Sequence, residues 1–69
     1  METDHQAKIR RANLFRWLTD KSLTKSDLAR RLGKTRGYIT NLQTRHFGER
    51  AARSIEEALF LPRGFLDLA

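Results

Sequence analysis

The chain has 69 residues, 39% of them hydrophobic and 32% charged, which is enough for one small globular domain and not for two. The absence of cysteine excludes a disulfide framework and a thiolate metal site, and no apolar run approaches the roughly 20 residues of a membrane span. With a formal net charge of +6 and no signal peptide, the sequence predicts a soluble, intracellular protein, which in bacteria means the cytoplasm.

The periodic signals all lie near 3.6 residues, so the sequence predicts helices and no strands. Residues 1–6 are polar and predict a disordered N-terminal arm that precedes a domain at residues 7–69. The first predicted helix spans about 7–19 and places Leu14 and Leu18 on its apolar stripe.

The second predicted helix has a clear start and a clear end. Thr24 can cap its first turn, and Asp27, three residues later, can reach back to form an approximate capping box. Gly33 stands where a left-handed C-terminal cap is needed. The predicted buried face consists of Leu28, Ala29 and Leu32.

The third predicted helix follows a turn of about three residues. Thr35 is a good N-cap, and the helix is expected to end near Thr44 or Arg45. Its apolar stripe consists of Tyr38, Ile39 and Leu42.

The fourth predicted helix spans about 49–60, and Pro62 then opens a short fifth helical turn with Leu66 as its core residue. The residues of the fourth helix expected to point inward are Ala52, Ile55 and Leu59, and those expected to point outward are Arg50, Arg53, Glu56 and Glu57. The predicted fold class is therefore all-α, with five short helices in one compact domain.

The positive charge concentrates in the middle of the chain. From Lys21 to Arg53 there are nine basic and two acidic residues, whereas the remainder has five basic and six acidic residues. A basic middle favours a polyanionic partner, most often nucleic acid. On charge alone, an alternative remains: the basic residues could simply keep the protein surface soluble, without a polyanionic partner.

Two helices separated by a short turn that contains Gly33 form the arrangement of a helix-turn-helix. Ala29 must be small because the following helix crosses close to it, and Ile39 and Leu42 hold that helix in place. Its opposite face would then project outward with Arg36, Gly37, Thr40, Asn41 and Thr44.

This stretch resembles the Cro/repressor-type helix-turn-helix, the xenobiotic-response-element family of bacteria and their phages. The matching residues are Leu23-Thr24, Leu28-Ala29, Leu32-Gly33, Thr35-Arg36, Tyr38-Ile39 and Leu42. Residues 51–67 are similar to the helix that follows in phage repressors, so the resemblance covers about residues 10–68. It implies a lambda-repressor-like domain whose helix at 35–44 enters the major groove of a DNA operator. The implied function is transcriptional regulation, with repression as the expected sign and phage or prophage as the expected origin.

Four positions depart from the family pattern. Lys25 stands where the family often has Gln, Lys34 where it usually has an apolar residue, and Phe60 where a capping glycine is common. Gly37 lies in the first turn of the recognition helix, where glycine costs about 0.5–1 kcal/mol in helix propensity. It either allows a close approach of the backbone to DNA or removes one base contact.

The resemblance implies two sets of DNA contacts. Base contacts are expected from Arg36, Gly37, Thr40 and Asn41. Phosphate contacts are expected from Lys25, Lys34, Thr35, Thr44, Arg45 and Arg50. Arg36 is the strongest candidate for a base contact, because a guanidinium group pairs with N7 and O6 of guanine.

Each of these side chains could instead be ordinary solvated surface, and Arg30 or Arg31 could pair with Glu56 or Glu57. Tyr38 is expected to pack at the rim of the core. A single small domain makes few operator contacts, so we expect a homodimer that recognises two half-sites. The segment at residues 65–69, with Phe47, is expected to contribute to self-association.

The sequence supports no enzymatic activity, cofactor or metal site, because two distant histidines and scattered aspartates form neither a ligand set nor a catalytic triad. Two alternatives to a complete DNA-binding regulator remain. The chain could be the DNA-binding fragment of a longer, LexA-like self-cleaving repressor, or a protein-interaction module that uses the same fold. RNA binding is disfavoured because the chain lacks an exposed aromatic platform.

Overall fold

The computed structural model describes residues 4–44 and 47–68. This part of the chain forms four α-helices and no strand; the helices are α1 (Asp4–Asp20), α2 (Lys25–Leu32), α3 (Arg36–Thr44) and α4 (Glu49–Ala58). A 3₁₀ helix follows at Phe65–Asp67. The all-α prediction is confirmed, and the prediction of five helices is wrong. The last segment is a single 3₁₀ turn between Gly64, which is left-handed with φ 90°, and Leu68, which is extended.

The first helix starts earlier than expected. It begins at Asp4, so residues 4–6 of the predicted arm are helical, and residues 1–3 lie outside the described residues. Ala7, in its first turns, is buried in the core. Towards its middle, Asn13 Nδ2 donates to the carbonyl oxygens of Leu66 at 2.8 Å and of Leu68 at 2.6 Å. The first and last elements of the chain are thereby fastened together.

Three helices end with the same backbone motif. A left-handed residue follows each of them, and the next amide donates to the carbonyl oxygen five residues earlier, as in a Schellman motif. The left-handed residues are Ser22 (φ 57°), Gly33 (φ 68°) and Phe60 (φ 59°). The predicted cap at Gly33 is confirmed. Ser22 and Phe60 hold the same conformation against a steric penalty of about 1–2 kcal/mol each.

One apolar core joins the helices. Its buried side chains are Ala7, Leu14, Leu18, Leu28, Ala29, Ile39, Leu42, Phe47, Ala52, Ile55, Leu59 and Leu66. These include every core residue predicted for α1, α3 and α4 except Tyr38, which is half-buried at the rim as expected. Of the predicted buried face of α2, Leu28 and Ala29 are buried, whereas Leu32 is only half-buried against the core. Phe47 is fully buried, so its predicted role in self-association is wrong.

Two residues of α4 were predicted to face outward and do not. Glu56 is only 1% exposed, because its carboxylate accepts the backbone N–H groups of Gly64 and Leu66, both at 2.9 Å. Arg53 is half-buried. Its Nε lies 3.1 Å from Glu56 Oε1, and its Nη2 lies 2.9 Å from Asp67 Oδ2. These two contacts of Arg53 are ion pairs without hydrogen-bond geometry.

Arg10 completes this polar cluster from α1. Its side chain is 3% exposed; Nε donates to Asp67 Oδ1 at 2.6 Å, and a terminal nitrogen donates to the Phe47 carbonyl at 2.9 Å. Arg10, Arg53, Glu56 and Asp67 form what we call the C-terminal ion cluster. It fixes the 3₁₀ helix against α1 and α4, since buried charges are tolerated where opposite charges and hydrogen bonds surround them.

Among the described residues, no helix combines the length and apolar character that crossing a bilayer requires.

Candidate nucleic-acid interface

The start of α2 is fixed by a complete capping box, as predicted. Thr24 Oγ1 accepts the Asp27 N–H at 3.1 Å, and Asp27 Oδ2 accepts the Thr24 N–H at 2.9 Å. The pKa of Asp27 is held below its ordinary value, chiefly by the hydrogen bond from the Thr24 N–H. The Thr24 hydroxyl and the positive charge of Arg30 lower this pKa further. Asp27 therefore stays ionised near neutral pH.

Arg30 pairs within its own helix. One of its terminal nitrogens lies 3.3 Å from Asp27 Oδ1, and Glu56 is occupied by the C-terminal ion cluster. The alternative pairing of Arg30 with Glu56 is therefore wrong. An exposed pair of this kind adds little to stability.

Residues 33–35 turn the chain from α2 into α3. Gly33 takes the left-handed conformation, and its successor Lys34 places Nζ 5.5 Å from the centre of the Tyr38 ring, within range of a cation–π contact. Thr35 Oγ1 accepts the Tyr38 N–H at 3.3 Å, which confirms Thr35 as the N-cap of α3. The Thr35 hydroxyl hydrogen is not used in this bond.

The two faces of α3 differ sharply. Ile39 and Leu42 are 0% and 4% exposed and lock the helix onto the core. The predicted outward face is exposed throughout; its residues are Arg36, Gly37, Thr40, Asn41 and Thr44. We call these five residues the α3 outer face.

The two threonine hydroxyls of this face are engaged within the helix. Thr40 Oγ1 donates to the Arg36 carbonyl at 3.2 Å, and Thr44 Oγ1 donates to the Thr40 carbonyl at 3.1 Å. Such bonds to the preceding turn leave each hydroxyl able to accept but not to donate. Thr44 would have to rotate about χ1 before it could donate to a phosphate.

The predicted phosphate-contacting cations are exposed where the structure describes them. Lys25 is the first residue of α2, Lys34 is the middle residue of the turn at 33–35, and Arg50 is the second residue of α4; all three are exposed. Lys34 and Arg50 line one open groove with Tyr38, beside the exposed carboxylate of Glu49. Arg45 lies outside the described residues.

Two large apolar residues of the described chain that do not belong to the α3 outer face are also exposed. Phe60 is 95% exposed and Leu68 is 62% exposed, whereas Phe65 is half-buried against the core. Of the described residues in the segment predicted to self-associate, Leu68 is the exposed apolar one, and the exposed Phe60 lies outside that segment. Single exposed apolar residues are common on small domains, so their exposure alone does not mark a contact surface.

Comparisons with protein-family models, with curated proteins and with solved structures found no significant match to this chain. The described residues include no group of three or more His, Cys, Asp or Glu side chains placed to hold a metal ion. The α3 outer face and the exposed cations around it form the candidate nucleic-acid interface.

Proposed function

We propose that this protein is a sequence-specific, double-stranded DNA-binding transcriptional regulator. In this proposal α2, residues 33–35 and α3 act as a helix-turn-helix, and α3 enters the major groove. The observation that carries the proposal is the division of α3: Ile39 and Leu42 anchor one side, and the opposite side is exposed and bears hydrogen-bonding groups. A helix anchored in this way can present side chains at fixed positions to base edges.

The chemistry of the α3 outer face supports base recognition. Arg36 lies at the first position of α3 and can donate two hydrogen bonds to guanine, and Asn41 can pair with adenine in the same manner. Thr40 uses its hydroxyl hydrogen within the helix, so apolar contact between its methyl group and a thymine methyl is its best contribution. Gly37 would let the backbone come close to the bases.

The surrounding cations support attraction to the phosphate backbone. Lys25, Lys34 and Arg50 are exposed, and Thr35 keeps a hydroxyl hydrogen that a phosphate oxygen could accept. Two acidic residues lie between Lys21 and Arg53. Asp27 is held by the capping box, and Glu49 is exposed beside the groove that Lys34 and Arg50 line. Phosphate contacts of this kind position a protein on DNA without determining its sequence preference.

The expected biological effect is occupancy of an operator, with repression favoured by the resemblance to phage repressors. A homodimer that contacts two half-sites about one helical turn apart would double the number of contacts. A protein-interaction module with the same helices would use the α3 outer face against a protein and would bind duplex DNA weakly.

A salt titration separates these two functions. The binding of a fluorescently labelled random duplex is followed by anisotropy between about 50 and 200 mM NaCl. Five or six neutralised phosphates predict that log K falls with log salt concentration with a slope of about −4.5 to −5.4. A purified chain that leaves the anisotropy unchanged even at the lowest salt would contradict DNA binding.

Sequence preference needs a second measurement. Duplexes enriched from a random library should share a motif and bind more tightly than the unselected library by about 10³-fold or more. Binding without enrichment would leave a non-specific DNA-binding protein and remove the regulatory part of the proposal.

A further inference from the structure

Gly37 occupies a position where no described part of the protein requires glycine. It is exposed, and the described glycines with positive φ are Gly33 and Gly64, not Gly37. A Cβ atom built on Gly37 would meet only Thr35 Oγ1, at 3.6 Å, which is an ordinary van der Waals distance. Alanine would therefore fit at this position without backbone strain or a steric clash.

The helix itself would favour alanine at this position. Glycine is the weakest helix former after proline, because it loses the most backbone freedom on folding. Gly37 is the second residue of a helix of nine residues, where each residue matters to helix stability. The missing side chain therefore has no explanation in the stability of the free protein.

The position of Gly37 does suggest a reason. Thr40 and Asn41 follow it by three and four residues, so they lie on the same face of α3, and Arg36 immediately precedes it. Gly37 thus leaves a gap in the first turn of the α3 outer face, between the two side chains best suited to pair with bases. The first turn of a recognition helix is the part that contacts base edges.

We propose that Gly37 is a specificity-determining residue, whose lack of a Cβ lets the first turn of α3 lie close enough to the base edges for Arg36 and Asn41 to pair together. This inference rests on the proposed function. It concerns the closely seated, specific complex. In a complex with random DNA, which is held through phosphates, the gap between α3 and the base edges would be wider. One added carbon at residue 37 would then hardly change the affinity.

The test compares wild type with Gly37→Ala and Gly37→Ser on two probes of the same length. One probe is the tightest duplex that wild type enriches from a library with about 20 random base pairs, long enough for two half-sites; the other is the unselected library. Gly37→Ala should raise Tm by about 2–6 °C through helix propensity. Its Kd for the selected duplex should rise about tenfold or more, with Kd for the library changed less than about twofold.

Thr19→Ala is the matched control. Thr19 is exposed near the end of α1, so alanine there improves helix propensity without approaching the α3 outer face. Both Kd values should stay at their wild-type level. Gly37→Ser adds a Cβ together with a polar group, and it should lose affinity for the selected duplex in the same way.

Each other outcome overturns the inference in a recognisable way. Unchanged or tighter binding of Gly37→Ala to the selected duplex would mean that Gly37 only omits a contact. Equal losses on both probes would place Gly37 against phosphates, and a lower Tm would mean that glycine serves the fold. A wild-type chain that binds neither probe refutes the proposed function itself, and this inference with it.

Discussion

Arg10 Nε donates to Asp67 Oδ1 across 2.6 Å and joins α1 to the 3₁₀ helix, 57 residues later in the chain. Arg10 is almost completely buried, and the Asp67 side chain is 29% exposed. Removing the carboxylate would leave a buried guanidinium group with weaker compensation, which is the more damaging half of such a pair.

We therefore expect Asp67→Asn to lower the free energy of unfolding by about 2–4 kcal/mol. Urea denaturation followed by circular dichroism measures this change. Asp20→Asn is the control, because Asp20 is exposed at the end of α1 and should change stability by less than about 0.5 kcal/mol. Equal effects of the two substitutions would show that the C-terminal ion cluster contributes nothing specific.

The same carboxylate predicts how stability depends on pH. The hydrogen bond from Arg10, with a further contribution from Arg53, holds the pKa of Asp67 below its ordinary value of 3.8 despite partial burial. A lowered pKa in the folded state means that the stabilisation is complete above pH 3.8 and is lost as the pH falls through the folded-state pKa. Asp27 acts in the same direction through its capping box.

The free energy of unfolding should thus change little with pH near neutrality on account of these groups and fall in acid below about pH 4. Denaturation curves for wild type and Asp67→Asn at matched pH values measure the effect. The two proteins should converge in stability as the pH is lowered, because protonation removes from wild type what the substitution has already removed. A constant difference down to pH 2.5 or so would contradict the assignment.

The C-terminal ion cluster is also the part of the fold that the sequence could not predict. A charged residue such as Glu56 is expected at the surface unless its partners are known. Two of these partners are the backbone N–H groups of Gly64 and Leu66, eight and ten residues later, and no sequence pattern shows that the chain turns back to place them there. Arg10 shows the same limitation even more clearly. The apolar residues of α1, α3 and α4 were predictable because their spacing repeats with the helix period.

Phe47 was misjudged although a local signal was present. It directly precedes Gly48, the N-cap of α4, and thus stands where a hydrophobic staple pairs with the fourth helical residue. That residue is Ala52, which is also fully buried. On the α3 outer face the sequence predicted exposure correctly, whereas the hydroxyl bonds of Thr40 and Thr44 to the preceding turn depend on side-chain rotamers that no sequence pattern specifies.

Arg36 provides the sharpest mutational test of base recognition. Arg36→Ala should weaken binding to the selected duplex by about 1–3 kcal/mol, since a bidentate contact with guanine is lost, and should scarcely change binding to random duplex. Anisotropy titrations on both probes measure the two effects. Arg16→Ala removes the same charge from an exposed site on α1 and should leave the preference for the selected duplex intact. If Arg36→Ala lost the same affinity for both probes, Arg36 would contact a phosphate and not a base.

Phe60 presents an exposed aromatic ring on a left-handed residue, with φ 59° and 95% exposure. Glycine adopts this conformation without a Cβ penalty, and the ring loses little burial on removal, so Phe60→Gly should raise the free energy of unfolding by about 0.5–1 kcal/mol in the monomer. Phe60→Ala is the matched control, since it removes the ring and keeps the strained backbone. If Phe60 serves self-association, both substitutions should weaken it equally, and sedimentation of wild type and the two variants over a range of concentrations measures this. A Phe60→Gly protein less stable than Phe60→Ala at low concentration would show that the α4 terminus does not carry this strain.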